Sequence, residues 1–447
     1  MELKITPLHT WISARIGTPR AAFDRQALER WQFSSLLRMV AYTRQKSPFY
    51  REHFAGLGPI NSFPDFFRLP FTTAENLMEN PHSFVCVSQE QVHRIVSLPT
   101  SGTTAKSKRV FFSQEDQALT IDFFRTGMST LAGAGDRVLI LLPGERPGSV
   151  GDLLFTALRE LGCLPTKYGP VDDERSVLQV IRQEKVNILV GAPVHLYRVA
   201  CFDHVTNFLS QGQIQAVLTS TDVLPVVVAE RLKALWGCEI FDHYGMTETG
   251  LGGGVECSAH CGYHMREADL YIEVIDPLTG EVLPDGEEGE VVITTLTRNA
   301  MPLIRYRTGD LSHVIPGDCA CGSFIKRIAP IKRRWRAGIQ IGECTLFQND
   351  LDEVMFQLNG VGDFEASVFV DEQGRDMMRL SLRIMGGKRE RVQEEAREVV
   401  SRIPGMEELS CNGRLLIEVV DALNPVFAKR RIIDLRPNVQ HPTQASR

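Results

Sequence analysis

The stretch that decides the fold class is residues 186–222, which reads "VNILVGAPVHLYRVACFDHVTNFLSQGQIQAVLTSTD". Two short apolar runs, "VNILV" and "IQAVLT", flank a segment of helical length. Apolar runs that alternate with helices in this way are typical of parallel strands joined by helical crossovers. The stretch therefore predicts an α/β fold in which helices cover a mostly parallel sheet.

The same alternation extends outward from this stretch. Further strand-like runs are "DRVLILLPG" at residues 136–144 and "EIFDHYG" at residues 239–245. After about residue 270 the pattern changes to strands separated by turns, as in "LYIEVIDPLTGEVLPDGEEGEVVITTL", which predicts an antiparallel, β-rich subdomain. A helix, a hairpin, a second helix and a strand are predicted from about residue 335. We therefore predict a large N-terminal domain at 1–334 and a small mobile α+β domain at 335–447.

The overall composition is that of an ordinary globular enzyme and excludes several function classes. The chain has 447 residues, of which 43% are hydrophobic and 23% charged, with a net charge of −6. This acidic balance gives no general basis for binding nucleic acid. No apolar run approaches the ~18 residues of a membrane span, and the first residues lack a signal-peptide pattern. We expect a cytoplasmic protein, and chains of this kind often form two-fold symmetric homodimers.

A loop rich in hydroxyl groups follows a predicted strand. It reads "TSGTTAKSK" at residues 100–108. Backbone N–H groups, hydroxyls and a lysine in one loop can bind phosphate oxygens. The spacing is not that of a Walker loop, which requires two glycines before Lys-Ser or Lys-Thr. Taken alone, the segment is equally compatible with a solvated surface turn.

Two later segments make the phosphate interpretation specific. They are "FDHYGMTET" at residues 241–249 and "YRTGDL" at residues 306–311. In this order, the three segments resemble the adenylate-forming superfamily of acyl- and aryl-CoA ligases, with phenylacetate–CoA ligase and its relatives as the closest branch. The resemblance implies an enzyme that joins a carboxylate to the α-phosphate of ATP, expels pyrophosphate and transfers the acyl group to CoA. The implied ligands are ATP, Mg²⁺, CoA and a small organic acid, with an aromatic acid favoured.

The resemblance assigns roles to individual residues. Glu248 matches a Mg²⁺ ligand, and Thr247 matches a residue that contacts the α-phosphate. Tyr244 matches the residue that stacks on adenine, with Asp242 at the adenine edge. Asp310 matches the carboxylate that accepts hydrogen bonds from both ribose hydroxyls. Lys429 matches the C-terminal lysine that acts in the first step, although an alternative alignment places that lysine opposite Ala428. The remaining implied nucleotide contacts are Thr100, Ser101, Gly102, Thr103, Thr104, Lys108, Ser220, His243, Gly245, Met246 and Arg327.

Four of the ten cysteines cluster in "CSAHCGYH" at residues 257–264 and "CACG" at residues 319–322. A closed zinc site needs four nitrogen or sulfur ligands. Some relatives of phenylacetate–CoA ligase have one cysteine, a histidine seven positions later and a C-x-C pair, and this pattern implies a structural Zn²⁺ on Cys257, His264, Cys319 and Cys321. His260 and Cys261 are then spare. The alternative is a group of reduced thiols without a metal.

The sequence departs from the family pattern at the domain junction. Arg334 matches the hinge arginine, but the two acidic residues that usually follow at the hinge are replaced by Arg336 and Ala337. Two further functions therefore stay open. In one, the adenylate passes to a carrier protein or an amine instead of CoA. In the other, the chain is a relative that binds nucleotide without catalysis.

The acid pocket is predicted to be lined by segments 143–151, 220–222 and 244–253. The glycines of "GGG" at residues 252–254 leave space there, which suits a flat aromatic acid. Arg146 is the nearest residue that offers a positive charge to the carboxylate of the acid.

Overall fold

The computed structural model describes residues 3–98, 107–423 and 430–437. The predicted phosphate-binding residues 100–104 and the predicted catalytic Lys429 lie outside these ranges. The described α-helices are α1 Pro7–Arg15, α2 Arg25–Lys46, α3 Pro48–His53, α4 Phe63–Phe66, α5 Ala74–Glu79, α6 Gln114–Met128, α7 Val150–Glu160, α8 Glu174–Gln183, α9 Pro193–Thr206, α10 Val226–Trp236, α11 Gln348–Met355, α12 Arg389–Ser401 and α13 Glu407–Cys411.

The described strands alternate with α-helices from β2 to β7, and no described α-helix separates the strands from β7 to β16. The strands are β1 Arg94–Leu98, β2 Lys108–Phe112, β3 Arg137–Leu141, β4 Leu164–Lys167, β5 Ile188–Gly191, β6 Ala216–Thr219, β7 Glu239–Tyr244, β8 Gly254–Val255, β9 Tyr263–Met265, β10 Leu270–Ile275, β11 Gly289–Thr295, β12 Tyr306–Ser312, β13 Arg327–Ile328, β14 Arg333–Arg334, β15 Ile339–Ile341, β16 Cys344–Leu346, β17 Val361–Val370, β18 Asp376–Ile384, β19 Leu415–Val420 and β20 Ile433–Asp434.

The chain divides into two compact units. Unit 1 comprises Met1–Gly169 and Phe241–Ile331, and unit 2 comprises Pro170–Ile240 and Lys332–Arg447. In unit 1, β3 pairs in parallel with β4, whereas β10, β11 and β12 form the predicted antiparallel meander. The strands β7, β8, β9 and β13 also pair in antiparallel order.

Unit 2 contains the two strands of the stretch that predicts the fold class. Strands β5 and β6 pair in parallel, with α9 between them in the chain, as that stretch predicts. The predicted C-terminal hairpin is formed by β17 and β18, which pair over Phe364↔Leu382 and Val368↔Met378, and β19 joins β18 in parallel. The mixed α/β class is therefore confirmed, while the domain boundary at 334/335 stays a prediction.

The core of unit 1 places two of the motif segments around shared apolar residues. Tyr306 packs in one buried cluster and Tyr244 in a second, and Met246 contacts both. Asp116, at the start of α6, fixes a neighbouring loop because its carboxylate accepts the backbone N–H groups of Asn299 and Ala300 at 2.9 and 3.1 Å. None of the helices within residues 3–98, 107–423 and 430–437 has both the length and the apolar character that a membrane span requires.

Candidate active site and metal centre

One residue from each of the three motif segments meets in a buried cluster of unit 1. Lys108 Nζ contacts Glu248 Oε1 as an ion pair and lies 3.5 Å from the hydroxyl of Tyr306. The Tyr306 hydroxyl donates to Glu248 Oε1 at 3.0 Å. Glu248 is only 4% exposed. The structure therefore brings a lysine, a carboxylate and a phenol together from positions separated by up to 198 residues.

The electrostatics of the cluster keep Glu248 ionised. Burial raises the pKa of Glu248. The charge of Lys108 and the hydrogen bonds from Lys108 and Tyr306 lower this pKa by more, so it lies below its ordinary value. Tyr306 belongs to the quoted "YRTGDL" segment, yet sequence reasoning gave it no role. The sequence feature that could have indicated a role for Tyr306 is its position at the start of the strand that also carries Asp310.

Local structure explains how Glu248 reaches the cluster. Thr247–Thr249 form a single 3₁₀ turn directly after β7, and the Thr249 hydroxyl donates to the Met246 carbonyl at 2.9 Å. Gly250 ends the turn at φ 77°, in the left-handed region where a side chain is strained. Thr247 is half-buried on this turn. The turn thus presents Thr247 and Glu248 at the carboxyl end of a strand, where ligands of α/β sheets bind.

Two further predicted nucleotide residues are in direct contact. The hydroxyl of Tyr244 donates to Asp310 Oδ2 at 3.0 Å. Asp242 accepts a 2.5 Å hydrogen bond from Tyr263, whose ring stacks on Tyr244 with centroids 5.9 Å apart. Burial lowers the pKa of the neighbouring His243 to about 4, so its imidazole is neutral at pH 7. The aromatic ring and the carboxylate assigned to adenine and ribose therefore lie side by side.

Other predicted contacts lie elsewhere in the fold. Arg327 is buried, and its guanidinium donates to the carbonyls of Cys261 and Gly317, each at 3.1 Å. Its visible partners are thus the two loops of the cysteine cluster, and its assignment to the ribose stays a prediction. Ser220 is buried in unit 2 directly after β6, where its N–H donates to the carbonyl of Gly191 at 3.0 Å.

Aromatic residues surround the predicted glycine-rich wall of the acid pocket. Phe123, Phe124 and His243 lie with ring centroids 6.1–6.2 Å apart. A Cβ on Gly252 would lie 2.4 Å from the ring of Phe123, so the glycine is required for the close approach of this ring. Arg146, by contrast, is exposed. Aromatic side chains therefore characterise this region, and the role of Arg146 stays a prediction.

The four predicted metal ligands gather in one place. One ligand atom from each of Cys257, His264, Cys319 and Cys321 lies within 4.8 Å of the others, and all four residues are buried. Cys257 Sγ lies 3.7 Å from Cys319 Sγ, and Cys321 Sγ lies 3.6 Å from His264 Nε2. The four residues offer three sulfur donors and one nitrogen donor, the set typical of a closed structural site.

The surroundings of the cluster separate the four ligands from the two spare residues. Backbone N–H groups of Ala259 and Cys321 point at the sulfurs of Cys257 and Cys319. The hydrogen bond from Cys257, above all, lowers the pKa of Cys321, so the group already favours a thiolate. His260 instead lies 3.4 Å from Glu256, and Cys261 is exposed.

Comparisons with known proteins identify the family of the chain. The family model described as AMP-binding enzyme matches residues 73–298. The phenylacetate–coenzyme A ligase of Aromatoleum evansii is 30% identical over 345 residues, which cover 74% of this chain and 76% of the relative. The corresponding ligase of Pseudomonas putida is 29% identical over 366 residues, covering 77% and 79%.

The fold is also found among solved structures. A crystal structure of 2-hydroxyisobutyryl-CoA ligase in the postadenylation state with 2-HIB-AMP has a TM-score of 0.73 at 20% identity, covering 91% of this chain and 89% of that one. The resemblance inferred from three short motifs is thereby confirmed at the level of fold and sequence family. The chain belongs to the family of AMP-binding enzymes and, within the adenylate-forming superfamily, is similar to the phenylacetate–CoA ligases.

Proposed function

We propose that the chain is an AMP-forming acid–thiol ligase that activates a carboxylic acid with ATP and transfers the acyl group to CoA. The observation that carries the proposal is the meeting of Lys108, Glu248 and Tyr306 in one buried cluster, because each comes from a different motif segment. The relatives named phenylacetate–coenzyme A ligases support an aryl or arylalkyl acid. The rings of Phe123 and Phe124 near the glycine run also support it.

In the first step, a carboxylate oxygen of the acid forms a bond to the α-phosphorus of ATP, and the bond from that phosphorus to the bridging oxygen breaks. Pyrophosphate leaves with the electron pair. Lys108 offers positive charge to the phosphate oxygens, and Thr247 offers a hydroxyl donor on the adjacent turn. Tyr244 and Asp310 hold the nucleoside, since an ionised carboxylate can accept from both ribose hydroxyls.

The chain's residues fit a divalent cation near the phosphates. Mg²⁺ prefers hard oxygen ligands and, when bound, neutralises charge on the triphosphate. Glu248 supplies an ionised carboxylate of this kind, and its contacts with Lys108 and Tyr306 both use Oε1. The second carboxylate oxygen is not engaged by either of these two groups.

In the second step, the thiolate sulfur of CoA attacks the acyl carbon, and the bond to the AMP oxygen breaks. The mobile C-terminal domain at 335–447, the hinge at Arg334 and the lysine at Lys429 belong to this proposal as predictions. Near the proposed hinge, Arg336 lies at φ 57°, unusual for a residue with a side chain. A carrier protein or an amine in place of CoA is the alternative acceptor, and a cytoplasmic location and a homodimer remain expectations.

We infer that the cysteine cluster binds a structural Zn²⁺. Two sulfurs each about 2.3 Å from a tetrahedral zinc are about 3.8 Å apart, and a sulfur and a nitrogen at about 2.3 and 2.05 Å are about 3.6 Å apart. The corresponding distances of 3.7 Å and 3.6 Å agree with both values. Four protein ligands leave no position for a reacting water, so the role of the metal is to tie the two loops together.

The function is tested by pyrophosphate exchange with a panel of aromatic and aliphatic acids, followed by thioester formation with and without CoA. We expect exchange with an aromatic acid, a CoA-dependent second step, and a loss of about 10²-fold or more in Glu248→Gln. The matched control is Glu239→Gln, an exposed glutamate at the start of β7, which should remain within twofold of wild type. ATP binding by calorimetry without exchange on any acid would establish the non-catalytic alternative instead.

A separate measurement tests the metal. Elemental analysis of protein purified without chelators should give about one zinc per chain, the content of one four-ligand site. A content below about 0.2 zinc per chain would establish the alternative of reduced thiols.

A further inference from the structure

Three successive backbone carbonyls around the Glu248 turn each accept a hydrogen bond from a side chain. Arg298 donates to the carbonyl of Glu248 and Arg266 to that of Thr249. The hydroxyl of Thr120 donates to the carbonyl of Gly250 at 2.8 Å. Side chains from three separate parts of unit 1 therefore stabilise the turn, in addition to the hydrogen bonds within the turn itself.

Arg298 also connects this turn with the strand that carries Lys108. Its second terminal nitrogen donates to the carbonyl of Phe111, on β2, at 3.1 Å, and its guanidinium lies 4.4 Å above the ring of Phe112. Lys108 is the first residue of β2. One planar guanidinium thus fixes the spacing between the backbone of Glu248 and the strand that begins with its ion-pair partner.

Both arginines are buried charges with carboxylates nearby, Asp116 and Glu248 for Arg298 and Asp269 for Arg266. Arg298 is 4% exposed and Arg266 is 3% exposed. Burial lowers the pKa of both guanidiniums, that of Arg266 to about 10, so both are charged at pH 7. Buried charges cost free energy unless they are well compensated. Within the described residues, Nε of each arginine and Nη1 of Arg266 have no hydrogen-bond partner, so both side chains donate through terminal nitrogens, to the turn and to β2.

We propose that Arg298 and Arg266 are positioning residues that hold the carboxylate of Glu248 at a fixed distance from Lys108, so that it is preorganised for a divalent cation bound with ATP. Neither arginine touches the reacting atoms; each acts through the carbonyls of the turn. The proposal rests on the ligase function proposed above. It assigns a role to two residues that lie outside the three motif segments.

The test is Arg298→Lys, which keeps the charge but replaces a planar fork with a single ammonium that cannot serve both carbonyls with the same geometry. By calorimetry, wild type should bind ATP more tightly with Mg²⁺ than without it. We expect the ratio of the ATP affinity with Mg²⁺ to the ATP affinity without Mg²⁺ to fall about tenfold in the variant. The Mg²⁺ concentration that half-saturates pyrophosphate exchange should rise by a similar factor. The exchange is normalised to correctly folded protein.

The matched control is Arg305→Lys. Arg305 is also buried and also donates to two backbone carbonyls, of Phe67 and Leu69, which do not belong to the Glu248 turn, and it forms a buried ion pair with Glu273. The Arg305→Lys variant should have a lower melting temperature but the same Mg²⁺ dependence of ATP binding as wild type. If Arg298→Lys behaves in the same way, with Mg²⁺ dependence within twofold of wild type, the positioning role is wrong.

Two arrangements keep the test decisive. Arg266→Lys leaves the contact of Arg298 with β2 in place and is the second variant if Arg298→Lys does not fold. It should lower the ratio of ATP affinities with and without Mg²⁺ by threefold to tenfold. An unchanged ratio refutes the proposal. If wild type exchanges pyrophosphate with no acid, the proposed ligase function fails. The calorimetric ratio then still decides whether Arg298 and Arg266 control cation-dependent ATP binding.

Discussion

The buried pair of Lys108 and Glu248 yields a sharp prediction for Lys108→Met. Removing one partner of a buried ion pair leaves an uncompensated charge and costs about 3–5 kcal/mol. The Tyr306 hydroxyl still donates to Glu248 at 3.0 Å, which places the expected cost near the lower end, at about 3 kcal/mol. For a unit of this size, that corresponds to a fall of about 6 °C in melting temperature.

The dependence on pH gives this prediction a distinct signature. In wild type the pKa of Glu248 lies below its ordinary value of 4.5, so its ionisation stabilises the fold above pH 4.5, and this contribution is lost as the pH falls below that value. Without Lys108, burial dominates and the pKa rises above 4.5. Ionisation then destabilises the fold, and the penalty grows as the pH rises through the raised pKa.

The assay is chemical denaturation of wild type and Lys108→Met at pH 7.5 and pH 4, followed by tryptophan fluorescence. We expect a deficit of about 3 kcal/mol at pH 7.5 that shrinks to about 1 kcal/mol or less at pH 4. The double variant Lys108→Met/Glu248→Gln should recover most of the loss at pH 7.5, because it no longer buries a charge. A deficit below about 1 kcal/mol at pH 7.5, or one that is equal at both pH values, would refute the reasoning.

Three further predictions concern the other parts of the site. Cys319→Ser should lose bound zinc and melt several degrees lower, whereas Cys261→Ser, which removes an exposed thiol, should keep both zinc content and melting temperature; equal zinc loss in both would contradict the ligand assignment. Gly252→Ala should cost about 1–3 kcal/mol in a denaturation series, because its Cβ would meet the Phe123 ring at 2.4 Å, and an unchanged midpoint would show that the ring moves freely. Asp310→Asn should weaken ATP binding by about tenfold in calorimetry, because the variant loses a charge-assisted acceptor for the ribose hydroxyls. The comparison is Tyr244→Phe, which removes only the 3.0 Å hydrogen bond to Asp310, and a smaller effect of Asp310→Asn than of Tyr244→Phe would contradict the assigned roles.

The sequence predicted the parts of the site that depend on local patterns. The alternation of apolar runs and helices predicted the parallel pair β5–β6, and the turn signals after residue 270 predicted the antiparallel meander, whereas β4 was not predicted. Three short motifs were enough to identify the family, because phosphate and nucleoside recognition needs particular residue types at fixed short spacings. The resemblance also implied the four candidate metal ligands Cys257, His264, Cys319 and Cys321, and the structure brings these four residues together.

Roles that depend on distant contacts could not be found in this way. Arg266 and Arg298 both lie in loops between strands, and no local pattern distinguishes them from surface residues. Their burial against the turn of Glu248 arises only when β2, the turn and residue 298 come together. The contacts of Arg327 with the carbonyls of the two cysteine-bearing loops are likewise visible only in the tertiary structure, and its assignment by resemblance to the ribose stays a prediction.

By itself, the sequence determined the class of fold, because this follows from short-range periodicity. It indicated the family and the residue types of the site through the resemblance of three short motifs to the adenylate-forming enzymes. Only the tertiary structure decided which charges become partners. Lys108 and Glu248 are 140 residues apart, and Tyr306 lies beyond both. Whether a carboxylate is ionised, buried or held by an arginine depends on its three-dimensional neighbours, since burial and nearby charge control its pKa.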